Sequence, residues 1–150
     1  MTKLMITRVY LDNCCFNRPF DDQFQLRIRL ETEAKLYIQE NICLNKLELV
    51  WSYVMDFENA SNPFEERAGY IDTWREKAVL DIEESDDILE LVKEISSFGL
   101  KSKDALHVAA AIEGKCSYFF TTDDGILKKM RAYKKIKVMS PVEFITGEMI

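Results

Sequence analysis

The sequence is short of the groups on which many enzyme classes depend. Its 150 residues include a single histidine, His107, and contain no G-x-S-x-G, G-x-G-x-x-G or P-loop motif. Triad hydrolysis, dinucleotide chemistry and Walker-type ATP hydrolysis therefore lack the residues they need. We interpret His107 as a helix-packing or partly exposed residue, with a minor role near a functional site as the alternative.

Cysteines are few and unsuitably spaced for metal binding. The four are Cys14, Cys15, Cys43 and Cys116, and no C-x-x-C occurs. This spacing argues against a zinc ribbon and against a disulfide framework. We expect reduced cysteines, most of them buried as small apolar residues.

Long apolar runs and an excess of positive charge are also missing. No run of 18 apolar residues occurs, and the apolar patch at residues 1–6 is too short for a signal peptide. We therefore expect a soluble, cytoplasmic protein without a membrane partner. The net charge of −6 argues against broad nucleic-acid binding through a basic surface. It does not exclude a nuclease, because carboxylates that hold cations also make a protein acidic.

The residues that are present alternate between strand and helix patterns. Five glycines, three prolines and no low-complexity linker indicate one domain, residues 1–150. Apolar segments predict strands at residues 7–12, 47–51, 78–82, 117–122 and 136–139. Helical spacing and capping residues predict helices at residues 23–41, 53–59, 62–76, 85–98, 103–113 and 125–130, and a last helical turn from Pro141. The fold class is therefore α/β, with an open parallel sheet and helices on both faces.

The first of these helices is predicted to be amphipathic. The core-facing candidates are Phe24, Ile28, Ala34, Leu36 and Ile38.

Two predicted strands run directly into an aspartate. Asp12 and Asp123 follow strands whose carboxyl ends share one edge of the sheet, where open α/β proteins bind ligands. Asp104, in the first turn of its helix, and Glu58, six residues after the candidate N-cap Ser52, can reach the same edge.

Four carboxylates at one edge repel each other unless cations or shared protons compensate. Oxygen ligands favour a hard divalent ion, Mg²⁺ or Mn²⁺. The chemistry that such a site supports is hydrolysis of a phosphodiester bond.

Four segments of the chain can be compared with known families: V-Y-L-D at residues 9–12, W-S-Y-V-M-D-F-E at 51–58, K-S-K-D-A-L-H-V-A-A-A-I-E at 101–113 and Y-F-F-T-T-D-D at 118–124. Together they resemble the PIN-domain family of metal-dependent ribonucleases, which includes VapC-type toxins. The segments come in the family's order and span most of the chain. A phosphatase of the haloacid-dehalogenase type would instead need D-x-D after the first strand, where Asn13 and Cys14 follow Asp12.

The resemblance implies Asp12, Glu58, Asp104 and Asp123 as catalytic, metal-binding acids. It also implies Thr121 and Ser52 as hydroxyls that orient them, and Asn13 is a further candidate for contact with Asp12 or a metal-bound water. Ser52 as a plain helix cap and Asn13 as a turn residue are the alternatives. Asp124 competes with Asp123, although the T-x-D spacing favours Asp123, and Asp56 competes with Glu58.

Basic residues near these acids are candidates for RNA contact. Residues 128–137 read K-K-M-R-A-Y-K-K-I-K, which includes Lys128 and Lys129, and Lys101 and Lys103 adjoin Asp104. A solvated helix and loop is the alternative for the first run.

The resemblance further implies partners. An RNA substrate, a homodimer and a cognate antitoxin protein would be expected of a toxin of this family. Large apolar residues such as Trp51, Trp74, Phe64 and Tyr70 suit a core or an interface. The alternative function is a non-catalytic PIN-like module that binds RNA or protein.

Overall fold

The computed structural model describes residues 5–148, so residues 1–4 of the N-terminal apolar patch lie outside it. Five strands follow in chain order: β1 (Thr7–Leu11), β2 (Leu47–Ser52), β3 (Leu80–Ile82), β4 (Tyr118–Phe120) and β5 (Lys137–Met139). Eight α-helices lie within the described range: α1 (Asn13–Asn17), α2 (Leu26–Cys43), α3 (Tyr53–Ala60), α4 (Glu65–Thr73), α5 (Asp86–Ser96), α6 (Ser102–Glu113), α7 (Asp124–Lys129) and α8 (Pro141–Glu143). Short 3-10 turns cover Arg18–Phe20 and Trp74–Lys77, and a π-helical turn covers Phe144–Glu148.

The sheet is open and entirely parallel, with the strand order β3-β2-β1-β4-β5. The chain first builds outward from β1 to β3 and then returns to the other side of β1 with β4. The order of the strands thus reverses between β1 and β4, which is where ligands bind in sheets of this type. The predicted α/β class with an open parallel sheet is confirmed.

Both faces of the sheet are covered. Val9, Tyr10 and Leu11 are consecutive and all buried, although alternate residues of a strand point to opposite faces. On one face Tyr10 contacts His107 of α6 at 5.7 Å between ring centroids. On the other, Trp51 packs against Phe16 at 5.6 Å and Phe120 packs against Phe144 at 4.8 Å.

Serine caps start several helices where the sequence predicts them. Ser52 is the N-cap of α3 and accepts a hydrogen bond from Met55 N. Ser85 is the N-cap of α5 and accepts a hydrogen bond from Ile88 N. Ser140 forms a capping box with Glu143 ahead of Pro141, so α8 begins at the predicted proline.

The first long helix differs from its prediction. It begins at Leu26 and not at residue 23, because Asp22 accepts a hydrogen bond from Phe24 N and holds that residue in a turn. Phe24 is therefore 95% exposed, and Leu36 is 40% exposed, so both were wrongly assigned to the core. Ala34 and Ile38 are buried as predicted, but the buried side of α2 also contains Glu31, Lys35 and Gln39, which obscures its apolar stripe.

The structure also shows which of the large apolar residues and cysteines are buried. Trp51 and Trp74 belong to the core, whereas Phe64 and Tyr70 are exposed. The cysteines form no disulfide; Cys15 and Cys116 are buried, and Cys43 is exposed. Within residues 5–148, no helix has both the length and the apolar character needed to cross a membrane.

Candidate metal centre

Asp12 lies at the point where the strand order reverses. Its backbone N–H donates to Phe120 O at 2.9 Å, which extends the pairing of β1 with β4 by one residue. Its buried carboxylate accepts hydrogen bonds from Asn13 N at 2.8 Å and from Thr121 Oγ1 at 2.9 Å. The Cys14 thiol also donates to it, at 3.4 Å. The Asp12 carboxylate is therefore held in one orientation by groups from both strand ends.

Thr121 links the two acids that follow the strands. Its Oγ1 donates to Asp12 and also accepts from Asp123 N at 3.1 Å. The position of this hydroxyl agrees with the orienting role that the sequence suggests for it.

Glu58 is carried to the same place by α3, which starts directly at the end of β2. The side chain is half-buried, with Oε2 3.2 Å from His107 Nε2 and 3.6 Å from Lys103 Nζ. Burial acts to raise the pKa of Glu58, but the hydrogen bond with His107 Nε2 and the nearby Lys103 ammonium outweigh it, and the pKa is lowered. Glu58 is thus held as a carboxylate.

Asp56, the competitor of Glu58, is engaged elsewhere. It accepts a hydrogen bond from Trp51 Nε1 at 2.9 Å and pairs with Arg75 at 3.3 Å. Of the two acids on α3, Glu58 is the one beside Asp12.

His107 lies closer to the candidate acids than the sequence pattern led us to expect. It is fully buried, with Nε2 also 3.9 Å from Asp12 Oδ1 and Nδ1 2.6 Å from Tyr10 Oη. Potential ligand atoms of Asp12, Glu58 and His107 all lie within 4.8 Å of one another. The spacing of His107 from Asp104 could have predicted this position, because residues three positions apart on a helix share one face.

Asp104 and Asp123 both line a neighbouring pocket of about 230 Å³. Asp123 caps α7 by accepting from Ile126 N at 3.0 Å, whereas Asp124 points outward and pairs with Arg27 at 2.7 Å. Burial, followed by the negative charges of Asp12 and Asp123, raises the pKa of Asp104 against the opposing effects of His107 and Lys103. Among the described residues Asp104 has no hydrogen-bond or ion-pair partner.

The predicted RNA-contacting lysines divide into three groups. Lys101 and Lys129 line the pocket of Asp104 and Asp123. Lys103 pairs with Glu58. Lys128 lines a different cavity, of about 710 Å³, between α2, α7 and α8.

Two of the predicted orienting groups act indirectly. Ser52 is fully buried and bonds to Tyr10 Oη at 2.6 Å, so it reaches Glu58 only through Tyr10 and His107. Asn13 binds Asp12 with its backbone N–H, while its side-chain oxygen accepts from Asn17 Nδ2. Asn13 Nδ2 is buried and without a partner in the described part of the chain.

The donor set fits a divalent cation. Burial, and after it the negative charges of Asp12 and Asp123, raise the pKa of Asp104, and a bound cation would offset both effects. Carboxylate oxygens suit Mg²⁺ and Mn²⁺. Comparison of the sequence with protein-family models and with curated proteins gives no match.

Proposed function

We propose that the protein is a Mg²⁺- or Mn²⁺-dependent endoribonuclease of the PIN-domain kind. The observation that carries the proposal is the half-buried, unpaired Asp104 carboxylate, which shares a pocket with Asp123 and lies close enough to Asp12 and Asp123 for their charges to add to the effect of burial on its pKa. An ionised carboxylate in such surroundings destabilises the folded state unless it binds a cation.

Each group of the site has a role in the proposed hydrolysis of an RNA phosphodiester. Asp12, Asp104, Asp123 and Glu58 would hold the metal, which when bound lowers the pKa of a water and offsets charge on the phosphate. Thr121 fixes the Asp12 carboxylate through its 2.9 Å hydrogen bond. Lys101 and Lys129, at the same pocket, would contact the phosphates beside the scissile bond.

The biological setting is part of the same proposal and rests on the resemblance of the motifs. In that setting the protein is a cytoplasmic toxin that forms a homodimer and is neutralised by an antitoxin. Support for a protein partner comes from the 710 Å³ cavity, where the exposed side chains Leu26 and Leu30 are available for apolar contact.

The test is cleavage of a mixed pool of structured and single-stranded RNAs with Mg²⁺, with Mn²⁺ and with EDTA. Cleavage should require metal and fall at least about 100-fold in Asp12→Asn and Asp104→Asn, because each removes a ligand charge. Asp124→Asn is the matched control, since Asp124 is exposed and pairs with Arg27, and it should cleave like the wild type.

Two results would overturn the proposal. Wild-type cleavage by both Asp12→Asn and Asp104→Asn would place the catalytic site elsewhere. Metal-independent RNA binding without cleavage would instead identify a non-catalytic binding module.

A further inference from the structure

A chain of hydrogen bonds runs from the core to Glu58. Ser52 Oγ lies 2.6 Å from Tyr10 Oη, Tyr10 Oη lies 2.6 Å from His107 Nδ1, and His107 Nε2 lies 3.2 Å from Glu58 Oε2. Ser52, Tyr10 and His107 are all completely buried. Because water does not reach these three groups, they have to satisfy one another.

The direction of the chain follows from counting donors and acceptors. Ser52 Oγ already accepts from Met55 N at 3.3 Å, so its hydroxyl hydrogen is available for Tyr10. Tyr10 then donates to His107 Nδ1, which leaves the proton of a neutral imidazole on Nε2. That N–H points at the Glu58 carboxylate, which can only accept, and every group in the chain is satisfied.

The opposite direction is unfavourable. If Nδ1 carried the proton and donated to Tyr10, the Nε2 lone pair would face a carboxylate oxygen at 3.2 Å. Tyr10 would donate to Ser52, and the Ser52 hydrogen would have no acceptor among the described residues. A doubly protonated ring would leave the same Ser52 hydrogen unsatisfied. A buried donor without an acceptor is expensive, so the geometry selects one tautomer.

The selected N–H lies between two carboxylates. His107 Nε2 is 3.2 Å from Glu58 Oε2 and 3.9 Å from Asp12 Oδ1, so a donor at this point keeps Glu58 beside Asp12. Without it, the other partner of Glu58 is Lys103, an exposed and flexible side chain 3.6 Å away. Glu58 would then be free to turn toward solvent.

We infer that His107 is a positioning residue that holds Glu58 as an Nε2–H donor, its tautomer set by Tyr10 and Ser52, and that it is not itself a metal ligand. The importance of Glu58 for cleavage rests on the function proposed above. The tautomer and its dependence on Tyr10 do not, so the two proposals can fail separately.

The first measurement is ¹⁵N NMR of the metal-free protein labelled at histidine. His107 is the only histidine, so the spectrum contains one imidazole and its two nitrogens can be assigned without ambiguity. We expect the pattern of a neutral ring protonated at Nε2. In Tyr10→Phe, which removes the donor to Nδ1, the Nε2–H form should lose population, while Tyr133→Phe should leave the spectrum unchanged. An Nδ1–H ring in the wild type, or no change in Tyr10→Phe, would overturn the inference.

Titration with Mg²⁺, which is diamagnetic, separates a donor from a ligand. If His107 is the donor, the Nε2–H pattern persists in the metal-bound protein. Conversion to an Nδ1–H ring with a metal-shifted Nε2 would make His107 a ligand and overturn the inference. In a second sample labelled uniformly with ¹³C and ¹⁵N, resonances of Asp12 and Glu58 that do not respond to Mg²⁺ would count against the proposed nuclease, while the result for the metal-free tautomer would still stand.

Two substitutions at His107 connect the tautomer to cleavage. His107→Gln keeps an N–H donor near Nε2, whereas His107→Leu removes it. With folding verified by circular dichroism, we expect kcat to fall about 10- to 100-fold in His107→Leu, the usual effect of losing such a partner, and to recover at least in part in His107→Gln. Wild-type kcat in folded His107→Leu would contradict a positioning role.

Discussion

The Asp104 carboxylate is half-buried, lies near the charges of Asp12 and Asp123, and forms no hydrogen bond or ion pair within the described residues. Burial and these charges raise its pKa, so the folded chain binds a proton at this position more tightly than the unfolded chain does. Ionised Asp104 therefore destabilises the fold as the pH rises through its raised pKa, which is the reverse of the usual behaviour of an aspartate.

Asp104→Asn should make the metal-free protein more stable even though it removes a candidate ligand. Urea unfolding in EDTA at about pH 7.5 should show a gain of about 0.5 kcal/mol, a small value because solvent screens a half-exposed group. The gain should shrink as the pH falls through the raised pKa of Asp104, because the protonated carboxyl has no charge to desolvate. Asp124→Asn should show no gain, since the hydrogen bond from Arg27 lowers the pKa of Asp124. A loss of stability in Asp104→Asn at neutral pH would contradict this account.

Lys35 is the second isolated charge. It is completely buried, its Nζ has no hydrogen-bond partner in the described part of the chain, and it lies 5.4 Å from the Phe16 ring and 5.6 Å from the Tyr70 ring. Burial lowers the pKa of Lys35 to about 8, against a smaller opposing effect of Cys15. Contact with the two rings compensates only part of the cost of removing the ammonium from water.

Lys35→Met should stabilise the protein at neutral pH by about 1–3 kcal/mol, because it replaces a charge that folding has to desolvate. Since the pKa is depressed in the folded state, the Lys35 contribution to stability rises with pH from about 8 to about 10.5. The advantage of the variant should therefore decline over that range. The measurement is the difference in unfolding free energy between the two proteins at several pH values, and a difference independent of pH would refute the assignment.

At the scale of elements, α6 has the greatest influence on the site. It carries both Asp104 and His107, and it lies against the face of the sheet that includes Tyr10. Gly114 is the C-cap of this helix, and a Cβ added there would come within 2.7 Å of Val50 Cγ1 on β2. A glycine is required there because the helix and the strand approach so closely.

Gly114→Ala should destabilise the fold by about 1–3 kcal/mol, the usual cost of overpacking a core. Gly69→Ala is the matched control, because Gly69 lies within α4 and an added Cβ would meet no atom within 4 Å. The control should be more stable by about 0.5–1 kcal/mol, since alanine favours helix. Thermal unfolding of both variants measures the two changes in stability. Equal changes would show that the close contact between residue 114 and Val50 does not destabilise the alanine variant.

At the scale of the whole molecule, the site exists only in the folded chain. Asp12 follows β1, Glu58 comes from α3, Asp104 from α6 and Asp123 from the N-cap of α7. The parallel sheet brings these distant segments to one edge, where β1 and β4 are neighbours. Any cation that needs several of these acids will bind the folded state and not the unfolded one.

Mn²⁺ should therefore raise the melting temperature. At ten times its dissociation constant a ligand of the folded state contributes about 1.4 kcal/mol, which corresponds to about 3–6 °C for a chain of this size. The shift should persist in Asp124→Asn and disappear in Asp12→Asn. Differential scanning calorimetry provides the test, and an equal shift in all three proteins would point to cation binding outside the site.

The sequence by itself determined most of the fold, because its signals are local. Alternation of apolar strands with capped helices defines an α/β chain, and Asp12 comes directly after β1 as predicted. Strand β4 ends at Phe120, earlier than predicted, and Asp123 is the N-cap of α7. Asp12 was predicted from the end of its strand, whereas Thr121 was predicted only from the resemblance of its segment to the PIN-domain family.

Only the tertiary structure decided which competing side chains enter the site. Asp124 is drawn outward by Arg27 of α2, and Asp56 is held by Trp51 and Arg75, so Asp123 and Glu58 are left at the sheet edge. His107 lies beside Asp12 and Glu58 because Tyr10 of β1 fixes its other nitrogen. Partners such as these are set by packing between distant segments, and a pattern of residue types along the chain does not specify them.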